Sequence, residues 1–407
     1  MTMNFSHSRA ILGGCVLKRH ASRQSSSIAL ATSSHRLNRK EKKEAYSAKP
    51  RSFLGEKESY RQRSLQVSFF STSNKPAFDP FSASSSKILK QADEELSPEE
   101  LALKRALESY HDDSDGILDD LQQAYMDLGY WQEALGVEQT KCRDYSPDTD
   151  EYADSIHAQG KLFLRQEDFR NAQKLYAQAL EYFTVTNNSV QRGHVLISMA
   201  GWHYFRNRLD DSLELLCESE SLLDTNPTLL VKCLDNQGLI HRLWGDYETA
   251  LDKYRQALQL VFDEETRQAL TLHVADMLCA LEEMDQALEV YRELFESTQN
   301  QGMQGVLLHN IAMIHVDQGD YDMAVEEFNL ALDVKRQTGG ENNTEVAKTL
   351  NALGALYGGI LDQKAQAMDC FRQALMIARI NSDDTESDPD VLHALRNLTA
   401  LEKKIQR

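Results

Sequence analysis

The chain has 407 residues, of which 41% are hydrophobic, and a formal net charge of −19 at neutral pH. Residues 1–77 contain 15 Lys or Arg and 4 Glu, a net charge of +11, which leaves −30 for residues 78–407. A segment this acidic repels nucleic acid and anionic lipid, and no apolar run approaches the ~18 residues of a membrane span. Composition therefore argues against nucleic-acid binding and against an integral membrane protein.

The first 72 residues have the composition of an organellar presequence. They are rich in Ser and Arg and contain no acidic residue before Glu41. Arg63, Leu65 and Ser68 match the spacing of a two-step mitochondrial processing site, with cleavage at the end of this segment. We predict a disordered, cleaved presequence in residues 1–72 and a mitochondrial location, in the matrix or associated with the inner membrane. The alternative is a basic, phosphorylatable tail on a cytoplasmic protein.

A linker is predicted in residues 73–96, followed by a capping helix in residues 97–112. Ser97 can cap this helix, and Pro98 suits its first turn because the missing N–H would have no partner there. Glu100 occupies the capping-box position. We expect this helix to cover the open edge of the repeats that follow.

A helix-turn-helix pattern recurs seven times between residues 115 and 381. The register is set by a small residue that opens each second helix, with successive spacings of 38, 40, 38, 37, 37 and 43 residues. The markers are Ala134, Ala172, Ser212, Ala250, Ala287, Ala324 and Ala367. A large residue usually follows four positions later, and a small residue usually precedes the marker by twelve, where two helices cross closely. The predicted repeat-packing residues are Gly160, Ala172, Gly238, Ala250, Ala312, Ala324, Gly354 and Ala367.

The strongest units read GLIHRLWGDYETALDKYRQAL, IAMIHVDQGDYDMAVEEFNLAL and LGALYGGILDQKAQAMDCFRQAL. This pattern resembles the tetratricopeptide repeat, which implies an all-α fold of helical hairpins stacked in a right-handed superhelical solenoid. The first unit departs from the pattern, with Glu138 and Lys141 where Phe and Ala are expected, as suits a terminal unit with one face in water. The longer spacing around residues 338–346 and the run EVAKTLNALGALY resemble the repeats of kinesin light chains.

After a polar stretch at residues 381–390, residues 389–407 are predicted to form a C-terminal capping helix. Val391, Leu395, Leu398 and Leu401 make an apolar stripe along it. Cations lie at its C-terminal end, where the helix dipole favours them.

No catalytic constellation is visible in the sequence. The six cysteines contain no C-x-x-C pair, and we interpret them as reduced, partly buried thiols. His203, His241 and His315 recur at one register position, which invites a metal hypothesis, but neighbouring repeats stand too far apart for two such imidazoles to share one Zn²⁺. We interpret these histidines as hydrogen-bonded core residues.

The resemblance places binding on the concave groove formed by the first helix of each unit. Asn236 and Asn310 occupy the same register position and Asn351 lies one position earlier, where peptide-binding members of the family clamp a peptide backbone. An amide suits that task because it offers both a donor and an acceptor. The predicted peptide-binding residues are Asn236, Asn310, Asn351, Lys232, Arg242 and His309. A solvated or locally bonded asparagine is the alternative interpretation.

The sequence therefore predicts a noncatalytic scaffold that binds a protein partner and needs no cofactor and no metal. The resemblance implies an assembly or quality-control role in mitochondria. A cytosolic cargo adaptor of the kinesin light chain type and a regulatory subunit of an enzyme complex are the alternatives.

Overall fold

Seven helical hairpins follow one another along the chain. The computed structural model describes residues 87–91, 96–109, 116–382 and 388–405, and within these residues it contains sixteen α-helices and no β-strand. The predicted all-α class is confirmed. The predicted presequence and most of the predicted linker lie outside the described residues. No helix among the described residues is long and apolar enough to span a membrane.

The helices are α1 (Pro98–Ser109), α2 (Ile117–Asp127), α3 (Trp131–Asp144), α4 (Asp150–Arg165), α5 (Phe169–Val185), α6 (Ser189–Phe205), α7 (Leu209–Glu220), α8 (Pro227–Trp244), α9 (Tyr247–Leu260), α10 (Glu264–Ala280), α11 (Met284–Ser297), α12 (Gln301–Gln318), α13 (Tyr321–Gly339), α14 (Thr344–Gly359), α15 (Lys364–Ile380) and α16 (Pro389–Ile405). Hairpin 1 is α2 and α3, and hairpin 7 is α14 and α15. In each hairpin we call the first helix A and the second helix B. Each helix packs on the next, and several A helices also contact the A helix of the following hairpin.

The turn inside each hairpin contains one residue with a positive φ. These residues are Gly129, Glu167, Asn207, Gly245, Glu282, Gly319 and Asp362. At Gly245 and Gly319 the left-handed residue ends the A helix directly and leads into the Gly-Asp-Tyr turn. Glycine adopts this conformation without a steric penalty, whereas Glu167 and Glu282 adopt it with a side chain present.

In hairpins 2, 4 and 7 a glycine on helix A packs against an aromatic ring from helix B. A Cβ atom on Gly160 would lie 2.7 Å from the ring of Tyr176, and one on Gly238 would lie 2.6 Å from the ring of Tyr254. The eight residues predicted to pack the repeats are all buried. Because interiors are close-packed, enlarging these small residues would force the aromatic rings out of place.

Hairpin 1 differs from the prediction that its polar residues face water. Glu138 is buried, with 3% of its surface exposed, and its carboxylate lies 3.4 Å from the ammonium of Lys141. Lys141 also reaches Asp119 at 2.6 Å. The reason is that α4 of the next hairpin packs on α3, which carries Glu138 and Lys141, and the Ser155 hydroxyl of α4 donates to the backbone oxygen of Glu138 at 3.4 Å. The two departures from the repeat pattern therefore form an internal ion pair.

The N-terminal helix α1 begins with the expected capping box. The Ser97 N–H donates to Glu100 Oε2 at 2.9 Å, and the Glu100 N–H donates to Ser97 Oγ at 3.2 Å. Part of the predicted linker is also packed, because Ile88 is buried among Leu103, Leu107 and other side chains of this end. These contacts bury the open edge of the first hairpin.

The C-terminal helix α16 packs on α15 and α14. Val391 and Leu401 are buried, at 2% and 5% exposure, but Leu395 of the predicted stripe is 40% exposed. Lys404 closes the contact by donating to the backbone oxygen of Gly358 at 2.9 Å.

Candidate functional site

Polar side chains of successive A helices contact one another along one surface, which we call the A-helix face. Its N-terminal part lies on α4, α6 and α8, and its C-terminal part lies on α10 and α12. The contacts join residues that are 34 to 41 positions apart, about one repeat. The repeat therefore brings equivalent helix positions together, and a ligand crossing the hairpins would meet these side chains in sequence.

The N-terminal part of the face is built around His157 on α4. Its Nε2 atom shares a hydrogen bond of 2.8 Å with the hydroxyl of Ser198 on α6, and its ring lies 4.6 Å from the ring of His194. Burial lowers the pKa of His157 well below its usual value, and the charge of Lys161 lowers it further. Burial also lowers the pKa of His194 to about 3. Both imidazoles are therefore neutral at pH 7.

Between the two parts, Asp235 on α8 contacts His273 on α10. The Oδ1 atom of Asp235 lies 3.1 Å from His273 Nδ1, and the His273 ring lies 4.9 Å from the ring of Tyr254. Arg242, seven residues after Asp235 on α8, makes no hydrogen bond or ion pair with another described residue. Its charge is close enough to act on Tyr204, Tyr254 and the carboxyl groups around them.

The C-terminal part of the face is organised by the carboxylate of Asp276 on α10. Its Oδ1 atom accepts a hydrogen bond from the Tyr291 hydroxyl at 2.6 Å and one from the Asn310 amide at 3.3 Å. Burial raises the pKa of Asp276, and the Tyr291 bond opposes that shift. Asp276 therefore accepts two hydrogen bonds, and both stabilise its ionised carboxylate.

The six residues predicted to bind peptide lie in different environments. Lys232 is exposed, and Asn236 is half-buried, with a side-chain amide that no other described residue hydrogen-bonds. Asn310 is buried and uses one amide N–H on Asp276. Asn351 accepts at 3.5 Å from the amide of Asn397 on α16, so the C-terminal helix reaches it.

The remaining predicted residue, His309 on α12, lies with its ring 5.5 Å from the ring of Phe328. Its Nδ1 atom is buried without a hydrogen-bond partner among the described residues. Burial lowers its pKa well below the usual value, and the charges of Lys335 and Lys348 add to that effect. It is therefore a neutral imidazole next to Asn310.

Sequence reasoning missed three residues that shape this face: Lys161, His194 and Asp276. Lys161 and Asp276 both lie eleven residues before their markers, and His194 lies eighteen before its marker. The repeat alignment therefore already showed charged or aromatic side chains at positions that repeat packing does not use. It does not show which of these side chains contact one another.

The three histidines that recur in the sequence each lie near a carboxylate of their own hairpin. The Nδ1 atoms of His203, His241 and His315 lie 3.4, 3.3 and 2.7 Å from Asp211, Asp246 and Glu327 respectively. The interpretation as hydrogen-bonded core residues is confirmed for His241, which is buried and bonds to Asp246. It is wrong for the other two, because among the described residues the Nδ1 atoms of His203 and His315 have no well-oriented hydrogen bond and His203 is partly exposed. In the part of the chain that the structure describes, no group of three or more His, Cys, Asp or Glu is arranged to hold a metal ion.

The five cysteines in the described ranges are unpaired thiols. Burial raises the pKa of each of them, to about 12 at Cys233 and to about 11 at Cys279 and Cys370. Such thiols react slowly, because the thiolate is the nucleophile. Cys217 is exposed rather than partly buried as predicted, and Cys15 lies outside the described residues.

Three tetratricopeptide-repeat family models match the chain, at residues 157–202, 235–336 and 304–380. The chain carries tetratricopeptide repeats. These matches cover the A-helix face from α4 to α14, apart from residues 203–234. A comparison with curated proteins found no significant match.

Similar solved structures belong to the same class of helical repeat. The apo form of the quorum sensor NprR from B. thuringiensis is 12% identical, with a TM-score of 0.52, and the match covers 72% of this chain and 79% of that one. The apo form of RapI is 15% identical, with a TM-score of 0.51, over 70% of this chain and 85% of that one. A putative kinesin light chain from Podospora anserina is 14% identical, with a TM-score of 0.42, over 48% of this chain and 98% of that one. At these identities the likeness concerns the fold alone.

Proposed function

We propose that this protein is a noncatalytic scaffold that captures a segment of a partner protein along the A-helix face, from hairpin 2 to hairpin 6. The observation that carries the proposal is the row of polar contacts between A helices, which join α4 to α6, α8 to α10 and α10 to α12. Such a row offers donors and acceptors at one-repeat intervals to a ligand that runs across the hairpins. Peptide and helix ligands use grooves of this kind.

Asn236 is the first anchor of the proposed groove. Its amide is half-buried and is not hydrogen-bonded by any other described side chain or backbone group. It therefore keeps a donor and an acceptor for the backbone of a bound segment, whatever that segment's side chains are. Arg242 follows on the same helix and supplies a cation that can bind a carboxylate or a backbone oxygen.

Asn310 is the second anchor and is held in place by Asp276. One amide N–H bonds to the carboxylate at 3.3 Å, which fixes the orientation of the side chain. The amide oxygen then faces away from this bond and can accept a peptide N–H. Because the Asn310 side chain is already oriented before a ligand arrives, less conformational entropy is lost on binding.

We further propose that the protein acts in mitochondria, in an assembly or quality-control role. The basic N-terminal segment, which has no acidic residue before Glu41, and its processing-site pattern support this location. The test is to express the full chain with a C-terminal tag in its own cell type and to sequence the mature N-terminus. A protease-protected product starting near Ser73 is expected. An uncut cytosolic product would overturn the location and favour the kinesin light chain type of adaptor.

The groove is tested by the double variant N236A/N310A. Proximity labelling through the C-terminal tag identifies partners, and binding of the recovered partners to purified protein is then measured by titration. We expect the double variant to bind at least about tenfold more weakly, because two amide anchors of about 1 kcal/mol each are lost. The matched control is N329A, which removes an exposed asparagine on helix B of hairpin 6. Equal affinity for the wild type and the double variant would refute the groove.

A further inference from the structure

Two lysines on the N-terminal part of the A-helix face lie close enough for their charges to interact. Lys161 lies on α4 and Lys232 on α8, two hairpins apart. Burial lowers the pKa of Lys161, and the positive charge of Lys232 lowers it further. The charges of both lysines also lower the pKa of His194, which lies on α6 between them. Three successive A helices therefore contribute to one cluster of cationic and imidazole side chains.

Neither ammonium group forms a hydrogen bond or an ion pair with another described residue, and the carboxylates of Glu138 and Asp154 act on Lys161 only at longer range. Five other lysines of the repeats do have an acidic partner, namely Lys141, Lys253, Lys335, Lys348 and Lys364. Because a desolvated charge is costly unless it is paired, an unpaired Lys161 in a highly acidic chain requires another explanation.

Gly201 lies on the same face of α6 as His194 and Ser198, which precede it by seven and three residues, and we call it the floor of this cluster. A Cβ atom at Gly201 would meet nothing within 4 Å. At Gly160, Gly238 and Gly354 the same atom would collide with an aromatic ring at 2.6 to 2.8 Å. Packing therefore explains those three glycines but not Gly201, which costs roughly 1 kcal/mol of helix stability relative to alanine. Its absent side chain leaves room for a ligand group.

We propose that Lys161, Lys232, His157, His194, Ser198 and Gly201 form a pocket that binds a phosphate monoester on the partner segment, such as a phosphoserine or phosphothreonine side chain. This lysine pocket rests on the proposed groove and specifies the chemistry of its ligand. A phosphate monoester carries a charge of about −1.5 to −2 at pH 7 and has three acceptor oxygens. It neutralises both lysines, whereas a single carboxylate leaves one positive charge uncompensated.

Donors for the phosphate oxygens are present in the pocket. Each ammonium carries three N–H donors, and no described residue uses them. The 2.8 Å bond between His157 and Ser198 uses one proton of that pair, so the pair keeps one further donor, and the neutral His194 has one ring N–H. Charge-assisted hydrogen bonds of this type are about twice as strong as neutral ones.

The pocket is tested with four pools of fluorescent nonapeptides that are degenerate except at the central residue. That residue is phosphoserine, phosphothreonine, serine or glutamate, and binding to the full chain is measured by fluorescence anisotropy. We expect the phosphoserine and phosphothreonine pools to bind at least tenfold more tightly than the serine and glutamate pools. Millimolar inorganic phosphate should displace them, because the phosphate group itself is the element recognised.

Three variants locate the pocket. K161M and K232M each remove one charge, and G201L fills the floor without changing the charge; each should weaken phosphopeptide binding at least fivefold. The matched control K174M removes an exposed lysine on α5 and should bind as the wild type does. Because Lys232 is exposed, K232M tests the proposal even if another variant folds poorly.

Three outcomes would overturn the lysine pocket: no pool binds, the glutamate pool binds as tightly as the phosphorylated pools, or the variants keep wild-type affinity. The proposed groove is judged separately by N236A/N310A. If that double variant loses its partner while K161M and K232M bind phosphopeptides normally, the groove stands and the lysine pocket is wrong. If phosphopeptide binding depends on Lys161 while N236A/N310A keeps its partner, the amide anchors are wrong.

Discussion

The two parts of the A-helix face place opposite charges at the same register position. Lys161 in hairpin 2 and Asp276 in hairpin 5 each lie eleven residues before the marker of their hairpin. Asp276 is satisfied by Tyr291 and Asn310, whereas the ammonium of Lys161 has no hydrogen bond or ion pair among the described residues. The fold therefore fixes where a side chain lies, and its neighbours decide whether it stabilises the chain or remains available to a ligand.

The largest expected effect comes from removing the hydrogen-bonded carboxylate of Asp276. D276A leaves the Tyr291 hydroxyl and the Asn310 amide without their acceptor, and a buried group without a partner costs about 1–3 kcal/mol. We expect the free energy of unfolding to fall by at least about 2 kcal/mol, measured by urea unfolding followed by circular dichroism. D276A/Y291F should recover part of the loss, because the hydroxyl that lost its partner is also removed. An unchanged urea midpoint in D276A would show that Asp276 does not hold the C-terminal part together.

The equivalent change in hairpin 2 should have the opposite sign. K161M removes a desolvated ammonium with no partner and keeps the length of the side chain, so unfolding should become more difficult by up to about 1 kcal/mol. The same urea measurement on K161M and on the control K174M separates this effect from a simple change of net charge. A loss of more than about 1 kcal/mol would show that Lys161 stabilises the repeats and would remove the contrast with Asp276.

The sequence predicted the repeats well because their packing is local. Gly160, Ala172 and Tyr176 lie within one hairpin, and their spacing alone indicates which side chains meet. The face was predicted less well because its contacts join different hairpins. Asn310 was predicted as a clamp, but the carboxylate that holds it is 34 residues away and on another helix. Glu138 was expected to face water for the same reason, since it is α4 of the next hairpin that packs on its helix.

The smallest expected effect is a change in how stability depends on pH in hairpin 2. Burial raises the pKa of Asp154 on α4 to about 6 from an ordinary value of 3.8, and the charge of Asp150 contributes. A carboxyl group whose pKa is raised in the folded state favours the fold fully below pH 3.8, and this contribution is lost as the pH rises through 6.

The variant D154N keeps the shape of the side chain and cannot ionise, so it isolates this contribution. We expect the stability of the wild type, relative to D154N, to fall between about pH 4 and pH 6 and to be constant above that range. Urea unfolding of both proteins at pH 4, 5, 6 and 7 measures the difference, and D252N, at an exposed position on α9, should follow the wild type throughout. If the difference in unfolding free energy between the wild type and D154N does not vary with pH, this part of hairpin 2 is well hydrated. The desolvation that makes an unpaired Lys161 costly would then be absent, and the contrast with Asp276 would rest on hydrogen bonding alone.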